Sequence, residues 1–276
     1  MIFSFHDVVI LVLFGFFIGI IGSVMGIGGG AFIVPFLMMV FHLPIKNAIA
    51  VSLVSIIATS SAVASVNVER GLANIRIGIL FEMTMALGSI IATYLMISIN
   101  PKILQLLFAF MLLPTAISMY LKSRKKKDNE DFNKFCEGEV YSYYDHSLRK
   151  TVNYSVCRKK TALILSFFSG MLSGLFGLGG GLIQVPVMNI ICKLPMKVAT
   201  STSNFMIGLS ACASSLILWK KNYIVNDVAF FLIGGVIAGS IFGMKMLYRA
   251  KNSTLQLVFS ALLMAVSFKM ITGVFR

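Results

Sequence analysis

Gly26-Ile27-Gly28-Gly29-Gly30-Ala31-Phe32-Ile33-Val34-Pro35 decides the fold, because it returns 151 residues later as Gly177-Leu178-Gly179-Gly180-Gly181-Leu182-Ile183-Gln184-Val185-Pro186. Downstream, Leu43-Pro44-Ile45-Lys46 recurs as Leu194-Pro195-Met196-Lys197, and 11 of 27 positions from Gly26 to Ser52 match their partners in Gly177 to Ser203. The same register holds at Gly88-Ser89-Ile90 against Gly239-Ser240-Ile241, and at Leu104-Gln105-Leu106 against Leu255-Gln256-Leu257. The chain is a duplicated unit. Three consecutive glycines followed by a proline do not continue a regular helix, yet both copies sit in strongly apolar surroundings. Irregular backbone at membrane depth is tolerated where it is buried in protein or lines a pathway. A break of this kind in each half points to a secondary transporter.

Composition agrees with a membrane setting. Hydrophobic residues make up 58% of the chain and charged residues 12%, with a mean hydropathy of +0.90, too little polar surface for an ordinary soluble domain. A span needs about 20 apolar residues, and eight stretches read as spans: 8–25, 45–68, 75–99, 103–121, 162–178, 198–219, 224–247 and 255–271. Two shorter apolar runs, 31–43 and 182–192, directly follow the triple glycines and read as half-length or re-entrant helices. The fold class is therefore all-α and polytopic, with two homologous halves of four to five membrane elements, residues 1–121 and 161–276. The first apolar run lacks a basic leader and a small-residue cleavage site, so it reads as a span rather than a removed signal.

Between the halves, residues 122–160 carry 11 Lys or Arg and 6 Asp or Glu. Basic residues beside spans mark the cytoplasmic side, so this segment reads as a cytoplasmic linker and topology anchor on the anionic leaflet of a bacterial inner membrane. The net charge of +14 is then a topology signal, not a sign of nucleic acid. Charge counting leaves the relation of the halves open. Inverted repeats put Lys193, Lys197, Arg249 and Lys251 on the linker side, whereas parallel repeats put Lys220, Lys221 and Arg276 there. Four cysteines, Cys136, Cys157, Cys192 and Cys212, show no metal-ligand spacing, and cytoplasmic thiols stay reduced. Neither a metal nor a disulfide is expected, and no cofactor is implied.

A helix interrupted inside the bilayer exposes backbone N–H groups and the positive dipole end of the helix that follows, which suits an anion. The candidate substrate-binding residues are accordingly Gly26, Gly28, Gly29, Gly30 and Pro35 with Gly177, Gly179, Gly180, Gly181 and Pro186. The plainer account of such glycines is close helix packing, as at Gly15/Gly19 and Gly235/Gly239/Gly243. Downstream, Ser52 and its repeat equivalent Ser203, with Asn204, offer neutral contacts that hold an oxyanion and release it. Ser55 and Thr59 more readily bond to their own helix. Lys46 and Lys197 are equivalents that snorkel to the interface or form cationic vestibules. Glu82, an acidic residue inside an apolar span, is a candidate for a coupling proton, unless it reaches the interface or pairs with Arg76. No catalytic histidine cluster, nucleophile elbow or Walker loop is present, so an enzyme is not expected.

The duplicated GxGGGxxxVP, followed by a polar Ser/Thr/Asn-bearing helix, resembles the TauE/SafE sulfite-exporter, or anion permease, family over both halves. That resemblance implies a carrier for small anions such as sulfite, sulfonates, sulfoacetate or carboxylates. The linker is long and charged for the family. The alternatives are an anion channel on the same fold, or a membrane scaffold acting through its basic linker. The oligomeric state is left open.

Overall fold

In the computed structural model, which describes residues 5–111, 139–145 and 150–247, the chain is helical apart from one hairpin. The first half contributes α1 (Phe5–Met25), α2 (Gly30–Val40), α3 (Ile45–Glu69), α4 (Ile75–Ser98) and α5 (Pro101–Met111). An antiparallel hairpin follows, β1 (Val140–Asp145) and β2 (Lys150–Ser155). The second half repeats the helix order as α6 (Lys159–Phe176), α7 (Gly181–Ile191), α8 (Met196–Lys220) and α9 (Asn226–Leu247). Among the described residues α1, α3, α4, α8 and α9 are long and apolar enough to cross a bilayer. The expected span at 255–271, and most of the one at 103–121, lie outside the described residues.

Each half stops its first helix with the same device. Gly26 and Gly177 adopt φ of 72° and 64°, a left-handed conformation that glycine takes without strain. Their amides close back on the carbonyls of Gly22 and Ser173 at 3.1 and 2.8 Å. Pro35 and Pro186 then fall in the second turn of α2 and α7, where a missing N–H interrupts the hydrogen-bond ladder. α2 remains α-helical past its proline, whereas α7 widens into a π-turn over Val187–Ile191 directly after Pro186.

The segments after the breaks double back. The Cys157 amide donates to the Cys192 carbonyl at 3.1 Å, so α7 ends beside the residue two before the start of α6. In the first half the Phe14 ring of α1 stacks on Phe36 of α2. Residues 162–178, read from sequence as a full span, are thus one leg of a re-entrant hairpin. The triple glycine turns the chain before it crosses.

Residue pairs give the helix directions. Gly235, Gly239 and Gly243 of α9 meet Val12, Phe16 and Ile20 of α1 in turn, so α1 and α9 run parallel. Gly170 and Gly174 of α6 meet Met85 and Ser89 in the same sense along α4. The Asn74 amide donates to Thr202 Oγ1, and Ser89 Oγ donates to the Ser210 carbonyl, so α4 and α8 are parallel too. α3 connects to α4 through the five-residue turn 70–74 and runs back against it, which makes α3 and α8 antiparallel. The halves are therefore related by a two-fold operation that inverts one against the other across the bilayer. Lys193 and Lys197 fall on the linker side with Arg70 and Arg76, while Lys46, Lys102, Lys220 and Lys221 lie opposite.

The linker contributes structure that composition did not show. Tyr143 and Tyr154 of the hairpin are buried, and the Tyr154 hydroxyl accepts from Asn74 Nδ2 at 3.1 Å. Asn74 also caps α4 through its Oδ1, which accepts from the Ile77 amide. Glu139 bonds Arg76 at 2.7 Å and accepts from the Tyr141 hydroxyl. Arg76 therefore faces Glu139 and not Glu82, which corrects one reading of Glu82. A second correction concerns the cysteines: Cys157 is disulfide-bonded, to a partner outside the described residues, while Cys192 and Cys212 are free.

Candidate functional site

The two re-entrant tips meet in the interior, and each is fastened by the other half. Ser52 Oγ of α3 donates to the Gly177 carbonyl at 2.8 Å, and its equivalent Ser203 Oγ of α8 donates to the Gly26 carbonyl at 3.0 Å. A Cβ added to Gly30 would strike the Gly177 carbonyl oxygen, and one added to Gly181 would strike that of Gly26. Gly26 lies against Thr200, and Gly177 lies against its equivalent Ile49. Gly28 is held between Ile56 and Ile207, themselves equivalents. The contacts exchange symmetrically, so neither tip is closed by its own half alone.

All ten glycine-turn positions, 26–30 and 177–181, are buried. Gly28, Gly29, Gly179 and Gly180 take φ between 71° and 83°, and their amides donate to no backbone carbonyl. Buried amides without partners are rare and costly. They sit where α2 and α7 begin, at the positive end of each helix's dipole. The site so built offers donors and no formal charge.

The remaining candidates separate into those near the tips and those far from them. Asn204 is fully buried, its Nδ2 donates to the Ser23 carbonyl at 3.2 Å, and its Oδ1 has no partner. Its backbone carbonyl accepts from Ser60 Oγ. Ser55 and Thr59 bond to the carbonyls of Val51 and Ser55 within their own helix. Lys46 Nζ donates to the Ile97 carbonyl at 2.6 Å, capping the end of α4. Lys46 and Lys197 stand at opposite faces of the membrane and do not converge on one mouth. Glu82 lies within α4 at 5% exposure, facing the backbone of Ser210, with neither carboxyl oxygen in an ordinary hydrogen bond.

The structure adds residues that motif reading passed over. Gln184 of α7 is fully buried, and its Nε2 donates to Ser166 Oγ at 3.0 Å beside Met206. Ser169 Oγ donates to the Gly180 carbonyl at 2.7 Å, and Ser173 Oγ is buried without a partner. The signal was present in the repeat itself, since Gln184 aligns with Ile33, Ser166 with Gly15, Ser169 with Ile18 and Ser173 with Gly22. Among the described residues no group of three His, Cys, Asp or Glu side chains is placed to hold a metal.

The family model described as sulfite exporter TauE/SafE matches residues 11–270. The chain is 27% identical over 275 residues to the probable membrane transporter protein YunE of Bacillus subtilis, covering 97% of this chain and 98% of that one. It is 26% identical over 237 residues to the probable membrane transporter protein YdhB of the same organism, covering 86% and 89%. A probable membrane transporter protein of Methanocaldococcus jannaschii is 26% identical over 278 residues, covering 92% and 91%. No solved structure matches.

Proposed function

The chain belongs to the sulfite exporter TauE/SafE family and is a membrane transporter, and from that premise we propose that it is a secondary carrier of small oxyanions. Sulfite, sulfonates such as sulfoacetate, and related carboxylates are the substrate class. One observation carries this reading: two buried glycine turns meet tip to tip with the amides of Gly28, Gly29, Gly179 and Gly180 unclaimed by backbone carbonyls. Neutral donors in a dry interior bind an anion strongly enough to select it and weakly enough to release it, which favours turnover over tight capture. Gly26, Gly30, Gly177 and Gly181 allow the tips to approach, while Pro35 and Pro186 set the helices that follow. In the conformation described, Ser52 and Ser203 give their hydroxyl protons to Gly177 and Gly26. Opening one side of the carrier breaks one latch and frees that hydroxyl to contact the anion, with Asn204 beside it.

Counterflow in proteoliposomes tests the reading, with radiolabelled sulfite, sulfoacetate, sulfate and a carboxylate as the panel. Saturable exchange accelerated by substrate on the far side is expected of the wild type, and none of Gly29→Val or Gly180→Val. Gly234→Ala, whose Cβ meets open space on helical backbone, should exchange normally. Unaltered exchange in both valine variants rejects the site, and wild-type flux without acceleration from the far side indicates a channel.

A further inference from the structure

The two-fold relation supplies an internal control. At one helix interface, where α4 and α6 meet α7 and α8, polar groups gather in the interior: Glu82, Gln184, Ser166, Ser169 and Ser173. Their equivalents at the inverted interface are Ile233, Ile33, Gly15, Ile18 and Gly22. The fold therefore assembles this junction from isoleucine and glycine on one side, so the polar set on the other is not needed to build it. Several of its atoms are also unsatisfied, namely both oxygens of Glu82, Gln184 Oε1 and Ser173 Oγ. A half-satisfied buried network costs stability relative to an apolar one, and membrane-buried carboxyls are retained for function.

Glu82 and Gln184 address the same face of one helix, a turn apart. Glu82 faces the backbone of Ser210 and Gln184 Nε2 lies 4.0 Å from Met206 Sδ, and positions four apart share a helix face. One turn beyond Glu82, the Met85 methyl sits where a Cβ on Gly180 would fall. The carboxyl is thus one helical turn from a side chain that touches the second glycine turn. Among the described residues no charged side chain is ion-paired or hydrogen-bonded to it. Arg76, on its own helix, bonds Glu139, and the lysines of α6 and α8 are Lys159, Lys160, Lys197 and Lys220, all in the first or last turn of those helices.

We propose that Glu82 and Gln184 form a proton-carrying site present in only one half, through which each anion moves across the membrane together with one proton. The inference rests on the carrier reading above. With neither oxygen in an ordinary hydrogen bond in the conformation described, the carboxyl is accommodated there as the neutral acid, because an isolated buried carboxylate costs several kcal/mol. An anion at the glycine turns favours that protonated form and is favoured by it, so proton and anion bind with positive linkage and travel in the same direction. The proton adds to a Glu82 oxygen on one side and leaves from it on the other, and no covalent bond to substrate forms. Gln184, whose amide presents either a donor or an acceptor, positions the carboxyl.

The test uses full-length protein in proteoliposomes and separates exchange from accumulation. Wild type should accumulate radiolabelled sulfite or sulfoacetate several-fold when the outside is made acid. Glu82→Gln, which mimics the neutral acid, should keep counterflow exchange within about twofold while losing accumulation driven by the pH gradient. Gln184→Ile, the residue found in the other half, should shift the pH dependence of accumulation without abolishing exchange. Wild-type exchange that ignores the pH gradient, or Glu82→Gln that still accumulates against it, overturns the proton site and leaves the carrier standing. Absence of exchange for every anion in the panel overturns both.

Discussion

Ser52 and Ser203 show how much of this interior hangs on two hydroxyls. Each satisfies a carbonyl of the opposite half in a fully buried position, and leaving such an acceptor unpaired costs about 1–3 kcal/mol. Ser52→Ala and Ser203→Ala should each lower the thermal midpoint of the purified protein, read by size-exclusion of heated samples. Because the two latches hold the same pair of tips, the double variant should depart from additivity. Gly30→Ala should be more damaging than either, since its methyl meets the Gly177 carbonyl oxygen; a Gly30→Ala protein as stable as wild type would show that the tips do not touch. The serines were legible as repeat equivalents on a polar helix. Their partners were not, because a bond between Ser52 and Gly177 exists only once both tips occupy the same space.

At the scale of elements, the β1–β2 hairpin ties the linker to the α3–α4 turn through Asn74, Tyr154, Arg76 and Glu139. The hydrogen bond from Tyr141 and the charge of Arg76 hold the Glu139 carboxyl below its ordinary range, against some desolvation. A carboxyl shifted down in the folded state stabilises the contact above its unfolded value of 4.5 and loses that contribution as pH falls through the folded value. Hydrogen exchange of residues 139–145 and 150–155 should therefore quicken below that point. Arg76→Ala should bring the onset to higher pH, and an onset unchanged in that variant would remove the ion pair from the account. Tyr154→Phe should loosen the hairpin at every pH, because it removes the acceptor for Asn74. Lysines and acids dominate the composition of this stretch, so from sequence it reads as a solvated anchor. The strand signal lay beneath, in the alternation Tyr141, Tyr143 against Val152, Tyr154, and short alternating runs in a charged segment are weak evidence.

Over the whole molecule, the inverted relation of the halves is the property that sequence charge counting left open and the helix directions decide. Glu69 and Lys220 end α3 and α8, which are repeat-related and antiparallel. Single cysteines at these two positions, in a background with Cys136, Cys157, Cys192 and Cys212 replaced by serine, should react with an impermeant maleimide from opposite faces of sealed vesicles. Labelling of both from one face would mean parallel repeats. The duplication and its glycine breaks were readable because they are local and repeated. The direction of one half against the other was not, since it depends on how many times the chain crosses, and a re-entrant leg such as α1 is as apolar as a span.

The exchanged latches carry a consequence for the protein's ancestry and for its engineering. Each half offers a serine it cannot use and a carbonyl it cannot satisfy, so a lone half is incomplete and two halves facing opposite ways complete each other. A single-repeat forerunner inserting in both orientations would already pair into this core as a homodimer, with fusion through a charged connector fixing one orientation of each copy. Severing the present chain within 122–138 and producing the two pieces together should accordingly restore a working carrier.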